Sequence, residues 1–230
     1  MAQMPLSNPE RILRVLDSHL ERETRIVLFG RAALAMGFGS AGIPFGKTMD
    51  VDAILPTVEM KKIEADDQFW KAIELTNKSL APDGLYISHL FTDKQVALTP
   101  DWLSKIVPIE ANGFKNLRLF RPSSVDLVLT KMMRNDRQDI EDIRFILAHE
   151  RVERADIEKA FAAVKPHEVR ELQQIFVEMQ PLVRGMAAPS KGLRENPPGG
   201  GTKLDPDWWL KLTQPLKEPP AKERDREIER

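Results

Sequence analysis

Cysteine is absent from the 230 residues, which excludes disulfides and every thiolate metal site. Histidine is sparse: His19, His89, His149 and His167 are far apart with no pair at ligand spacing, so a histidine-rich metal centre is not expected. An excess of charge of either sign is missing too. With 34 Lys and Arg against 35 Asp and Glu, any contact with nucleic acid must rest on a local basic patch. No long apolar run and no cleavable leader pattern occurs at the N-terminus, from which a soluble, cytoplasmic protein without a membrane partner is expected. What is present is 42% hydrophobic residues, enough to build a core in one domain or two small ones.

Local patterns alternate between helix and strand. Ser7-Asn8-Pro9-Glu10 forms a capping box that opens a helix to about residue 23, with Ile12, Leu13, Leu16 and Leu20 as its apolar stripe. Acids at Glu10, Asp17, Glu21 and Glu23 speak against a transit peptide there. An apolar run at 25–29 predicts a strand, a helix follows from about Arg31, and 37–46 reads as a flexible loop. A second strand is expected over 51–55. Thr57 then caps a helix to about residue 78, and Pro82-Asp83-Gly84 makes a turn. Short strands are expected at 86–91, 106–110 and 114–120, the last two joined by Asn112-Gly113. Ser123 to Asp126 is a second capping box, opening the helix that carries Lys131. Further helices follow, two of them at about 156–164 and 167–183. The pattern is that of an α/β (α+β) chain with a small mixed sheet flanked by helices. Its expected organisation is an α/β domain at 1–121, a helical layer at 122–184 and a tail at 185–230. The tail is rich in Pro and Gly and is expected to be largely disordered, while its Trp208-Trp209 pair is expected to dock on the protein's own body or on a partner.

The chemistry concentrates in two places. In Thr48-Met49-Asp50-Val51-Asp52 the two acids sit two residues apart in a strand, so they share one face about 6 to 7 Å apart. Such a pair is either a solvated strand start or a site for Mg²⁺, which takes one or two carboxylates and completes its shell with water and phosphate oxygens. The second place is Lys131-Met132-Met133-Arg134 followed by Asp139-Ile140-Glu141-Asp142. Lys131 lies on a helix that is apolar around most of its circumference, so its ammonium needs a partner, either a triphosphate or a carboxylate. Asp139 and Asp142 share a helix face, either as a solvated surface balanced by Arg137 and Arg144 or as part of a site. Residues 41–48 also satisfy a loose phosphate-loop pattern ending in Lys47-Thr48. That loop must lie between a strand and a helix; here the order is inverted.

Strand-Gly30-helix, then Thr48 two residues before an Asp-x-Asp, then the Lys131, Arg134 and Asp-x-x-Asp run resemble the nucleotidyltransferase superfamily over about residues 20–150. Within it the chain is most similar to the minimal AbiEii/MenT-type toxin nucleotidyltransferases and a neighbouring family of uncharacterised nucleotidyltransferase-like proteins. The resemblance implies a mixed sheet of nucleotidyltransferase type and Mg²⁺, with Mn²⁺ as an alternative, held by Asp50 and Asp52. It implies an NTP contacted by Gly30, Arg31, Lys47, Thr48 and Lys131, with Asp139 as an additional acid. The acceptor it implies is a hydroxyl, on a tRNA 3′ end, a protein or a small molecule, and a toxin would have an antitoxin partner. Two departures stand out. Arg31 replaces a small residue and either contacts phosphate or blocks it, and a third carboxylate is not evident, Asp93 and Glu110 being the candidates. A fold kept as a binding module is the alternative they leave open.

Overall fold

The computed structural model describes residues 6–134, 136–165 and 169–189. Its centre is a five-stranded mixed sheet of β1 (Thr24–Phe29), β2 (Asp50–Leu55), β3 (Tyr86–Thr92), β4 (Val107–Pro108) and β5 (Leu117–Arg121). The strand order is β3-β2-β1-β5-β4. β1 runs antiparallel to β2 and parallel to β5, β2 is parallel to β3, and β4 is antiparallel to β5. The mixed α/β class expected from the alternation of patterns is the class observed.

Eight helices among the described residues flank the sheet: α1 (Asn8–His19), α2 (Gly30–Gly37), α3 (Met60–Glu64), α4 (Asp67–Leu80), α5 (Ser124–Lys131), α6 (Arg137–His149), α7 (Arg154–Ala163) and α8 (Arg170–Met186). None is long and apolar enough to cross a membrane. Both capping boxes form: the Ser7 hydroxyl accepts from the Glu10 N–H and the Ser123 hydroxyl from the Asp126 N–H. Ile12, Leu13 and Leu16 on α1 are fully buried, each contributing about 1.5–3 kcal/mol of transfer free energy.

Strand alternation divides the sheet into two faces. Ile26, Leu28, Val51, Ala53, Leu117 and Leu119 enter the main core with the apolar stripes of α1, α2, α4, α5 and α6. Val27 and Ile54 point the other way, into a smaller cluster with Leu98 and Trp102. Buried Asp126 fastens the segment bearing those two residues by accepting from both the N–H and the hydroxyl of Thr99, at 2.7 and 2.8 Å. Asp52 pairs across the ladder with Phe29, so the Asp50/Asp52 edge belongs to this second face, where both acids are half-buried.

Four local expectations are corrected. Residues 37–46 are an ordered 3-10 coil over Gly39–Phe45, not a flexible loop. Gly42 lies so close to α2 that a Cβ would come within 2.5 Å of the Leu34 carbonyl oxygen, and Phe45 docks on Phe145. The helix expected from Thr57 is broken into a 3-10 turn, α3 and α4, because Asp66 caps a new start by accepting from the Phe69 N–H. β5 starts only at Leu117 because Asp17 on α1 takes the N–H groups of Lys115, Asn116 and Leu117 at 2.7–2.9 Å. The strand expected at 106–110 shrinks to two residues on the sheet edge, one of them Pro108, which has no N–H to give. At the C-terminal end α8 continues through Gly185, and Ala188 bridges to Glu153. Most of the tail, with Trp208 and Trp209, lies outside the described residues.

Candidate active site

β1 delivers the chain to Gly30, which opens α2 with φ +62°, a left-handed conformation that glycine adopts freely. A Cβ built there would stand 3.3 Å from Asp52 Oδ2. The turn therefore sits against the carboxylate, and any side chain would have to share that space. Gly30→Ala is expected to destabilise by about 1–2 kcal/mol, a melting shift of about 2–8 °C for a chain of this size, and to displace Asp52. Thermal unfolding measures the first effect and a crystal structure of the variant the second.

Asp50 and Asp52 are tied to one another through β3. The β2/β3 register shifts between Val51 and Ala53, leaving Ser88 and His89 opposite Asp52 in a bulge. The Ser88 hydroxyl contacts Asp50 Oδ2 at 3.3 Å and makes a short hydrogen bond to Asp52 Oδ1. Because one hydroxyl reaches both carboxylates, one small cation can do the same. Thr48 orients Asp50 further, its hydroxyl donating to Oδ1 at 2.8 Å, and Thr48 opens onto a strand, so the phosphate-loop context is absent.

Behind this rim lies a buried charge network. Lys131, 2% exposed at the last residue of α5, donates to Asp139 Oδ1 at 2.8 Å and Asp142 Oδ2 at 2.7 Å; both acids, on α6, are fully buried. Arg31 reaches Asp142 Oδ1 at 3.2 Å from the start of α2, its guanidinium lying over the Phe45 ring. Arg134 holds Asp139 Oδ2 at 2.9 Å while remaining largely exposed. The Asp-x-x-Asp face is thus interior rather than solvated, and Arg137 pairs with Glu141 instead. Three cations surround two carboxylates, which leaves local positive charge beside Asp50 and Asp52.

Two titrations follow from this network. For Asp139, burial pushes the carboxyl up, but the Lys131 charge and hydrogen bond, together with Arg134, hold it below the ordinary carboxylate value. For Arg134, partial burial works downward and is outweighed by Asp139, Asp136 and Asp52, which hold the guanidinium above its ordinary value. A depressed carboxyl stabilises the fold above its unfolded value, near 4, and that stabilisation disappears as pH falls through the lower folded value. Acid unfolding of Asp139→Asn is therefore expected to lack part of the wild-type slope below about pH 4.

The structure brings Gly30, Arg31, Thr48, Asp50, Asp52, Lys131 and Asp139 into one region. Lys47 is exposed just before Thr48, its carbonyl accepting from Asn8. Neither candidate for a third acid joins them. Asp93 follows β3 at the opposite end of β2 and binds Thr57, and Glu110 is exposed beyond β4 on the far sheet edge. Among the described residues no three His, Cys, Asp or Glu side chains form a metal cluster. Sequence reasoning passed over Ser88 and His89, which carry no motif. It left Arg134 and Asp142 without a role although both stand in the quoted Lys-Arg-Asp-x-x-Asp run. A family model described as a nucleotidyltransferase of unknown function (DUF6036) matches residues 10–171. No curated protein and no solved structure matches the chain.

Proposed function

The chain belongs to the DUF6036 family of nucleotidyltransferases of unknown function, and from that premise we propose that it transfers a nucleoside monophosphate from an NTP to a hydroxyl acceptor. The observation that carries this reading is the Ser88-bridged Asp50/Asp52 pair standing against the Gly30 turn. Two carboxylates on one strand face suit Mg²⁺, or Mn²⁺, because either ion can complete its shell with water and phosphate oxygens. Bound there, such an ion would neutralise charge on the triphosphate and align the α-phosphorus.

The protein's own side chains have separable tasks. Thr48 and Ser88 hold the two carboxylates in orientation by donating to them. Gly30 leaves room beside Asp52, and the first amides of α2, which no side chain caps, face phosphate favourably. Arg134 presents an exposed guanidinium within electrostatic reach of Asp52, and Lys47 is free to approach the same substrate. Lys131 and Asp139 position Arg134 from beneath. The acceptor hydroxyl gives up its proton to solvent as its oxygen bonds to the α-phosphorus and the bond to the α–β bridging oxygen breaks, and pyrophosphate leaves in line.

The test is incubation of the protein with each α-labelled NTP, Mg²⁺ and total cellular RNA plus protein, beside the Asp50→Asn/Asp52→Asn double variant. Label on a macromolecule with wild type and none with the variant is the expected result. Transfer by both overturns the assignment. A second reading, a nucleotide-binding module without turnover, is favoured by one observation: Lys131 and Arg31 both direct their charge to Asp142 rather than outward. It predicts nucleotide binding independent of Mg²⁺. A toxin role with an antitoxin partner belongs to the proposal as well, and growth arrest that depends on Asp52 is its expected sign.

A further inference from the structure

The His89 side chain is 68% exposed, yet its orientation is defined from two sides. Its Nδ1 stands 3.4 Å from Asp52 Oδ1, and its backbone N–H donates to the same oxygen at 3.3 Å. Its ring lies nearly parallel to that of Phe91, with centroids 5.3 Å apart and planes 20° from each other. Phe91 in turn meets Phe29 edge to face at 5.5 Å, and Phe29 is the ladder partner of Asp52. Three rings from β1 and β3 are therefore linked beside the carboxylate pair, with the imidazole outermost. An exposed surface histidine ordinarily samples several rotamers; this one is held flat at the rim of a site built for phosphate chemistry.

We propose that His89, backed by Phe91, is a stacking platform for a nucleobase, a substrate-positioning role that rests on the nucleotidyltransferase reading of the same site. A planar heteroaromatic ring is the chemistry that an exposed, pre-oriented imidazole plane complements. The sheet order gives the platform its side. β3 lies on one flank of β2 and β1 on the other, so His89 borders Asp52 from the flank opposite Gly30 and α2. In-line displacement brings the acceptor in opposite the leaving pyrophosphate. If phosphate sits at Gly30, His89 is on the acceptor's side, and the base is expected to be the acceptor's terminal one rather than the incoming nucleotide's.

Equilibrium binding with the full chain and Mg²⁺ tests this without requiring turnover. One arm compares a short 5′-fluorescein RNA with the same RNA ending in an abasic ribose; the other compares ATP with ribose 5′-triphosphate. Each is measured on wild type, His89→Ala and His89→Phe, with thermal unfolding as the control for folding. Wild type is expected to favour the base-bearing RNA by about tenfold, His89→Ala to lose that preference, and His89→Phe to keep it. Loss confined to the ATP arm also supports the platform and assigns the base to the incoming nucleotide. Equal preference in wild type and His89→Ala in both arms overturns the proposal, even in a protein that transfers label. A protein that discriminates the base but transfers no label would sink the transferase and leave the platform standing.

Discussion

Asp52→Asn is expected to slow nucleotide transfer by about 10³-fold, equivalent to about 4 kcal/mol of transition-state stabilisation, with the fold intact. Asparagine has nearly the same size and keeps a carbonyl oxygen where Ser88 and the His89 N–H now donate to Oδ1. What it removes is one negative charge from a half-buried pair on the second sheet face. Asp50→Asn should act similarly, since Thr48 donates to Asp50, the Ser88 hydroxyl stands 3.3 Å from it, and the amide cannot replace its charge. Two carboxylates joined through one hydroxyl repel each other, and the Arg134 charge beside Asp52 offsets that repulsion, so both variants are expected to melt within a few degrees of the wild-type temperature. Initial rates of label transfer across a Mg²⁺ titration, beside a thermal melt, measure the two effects. A rate within threefold of wild type in either variant would exclude a shared role for the pair.

Lys131→Met is expected to have the largest effect on stability. The ammonium is buried and bonded to two fully buried carboxylates, and methionine fills similar space without charge. Removing one partner of a buried ion cluster costs about 3–5 kcal/mol, which for a chain of this length lowers the melting temperature by about 6–20 °C. Arg31 and Arg134 still contact Asp142 and Asp139, which places the expected loss toward the lower end. The pH dependence distinguishes this cause from simple loss of packing. In wild type the Lys131 and Arg134 charges outweigh burial and hold Asp139 below its ordinary value, so lowering the pH removes stability. Without Lys131, burial is opposed by Arg134 alone and that carboxyl moves upward, so the deficit is expected to shrink as pH falls through the carboxylate range. Denaturant titrations at pH 7 and pH 3 make the comparison; a deficit unchanged between them would show that the network carries no electrostatic stabilisation.

Which features were legible in the sequence follows from how local they are. The caps at Ser7 and Ser123 and the placement of Asp50 and Asp52 on one face need only neighbours within a few residues. The break at Asp66 was equally local, since an N-cap aspartate is visible in sequence, but an apolar pattern running on either side of it obscured the restart. The delayed start of β5 was beyond reach, because the acceptor for the N–H groups of Lys115, Asn116 and Leu117 is Asp17, about a hundred residues away. For Lys131, composition raised the need for a partner and left two partners open; only the packing of α6 against α5 selects the carboxylates.

By itself, then, the sequence determined the mixed α/β class, the glycine-to-helix turn and a pair of acids on one strand face, because turn preferences, caps and the two-residue strand period act over short stretches of chain. Only the tertiary structure decided what meets those acids. Ser88 lies 36 residues beyond Asp52, and Arg31 lies 111 residues before Asp142. Their meeting depends on strand order, a register shift in β3 and the docking of α6, none of which leaves a periodic trace in sequence. Asp139 and Asp142 are the clearest instance: helical spacing places both on one face, and the charges that face them decide that this face can be buried.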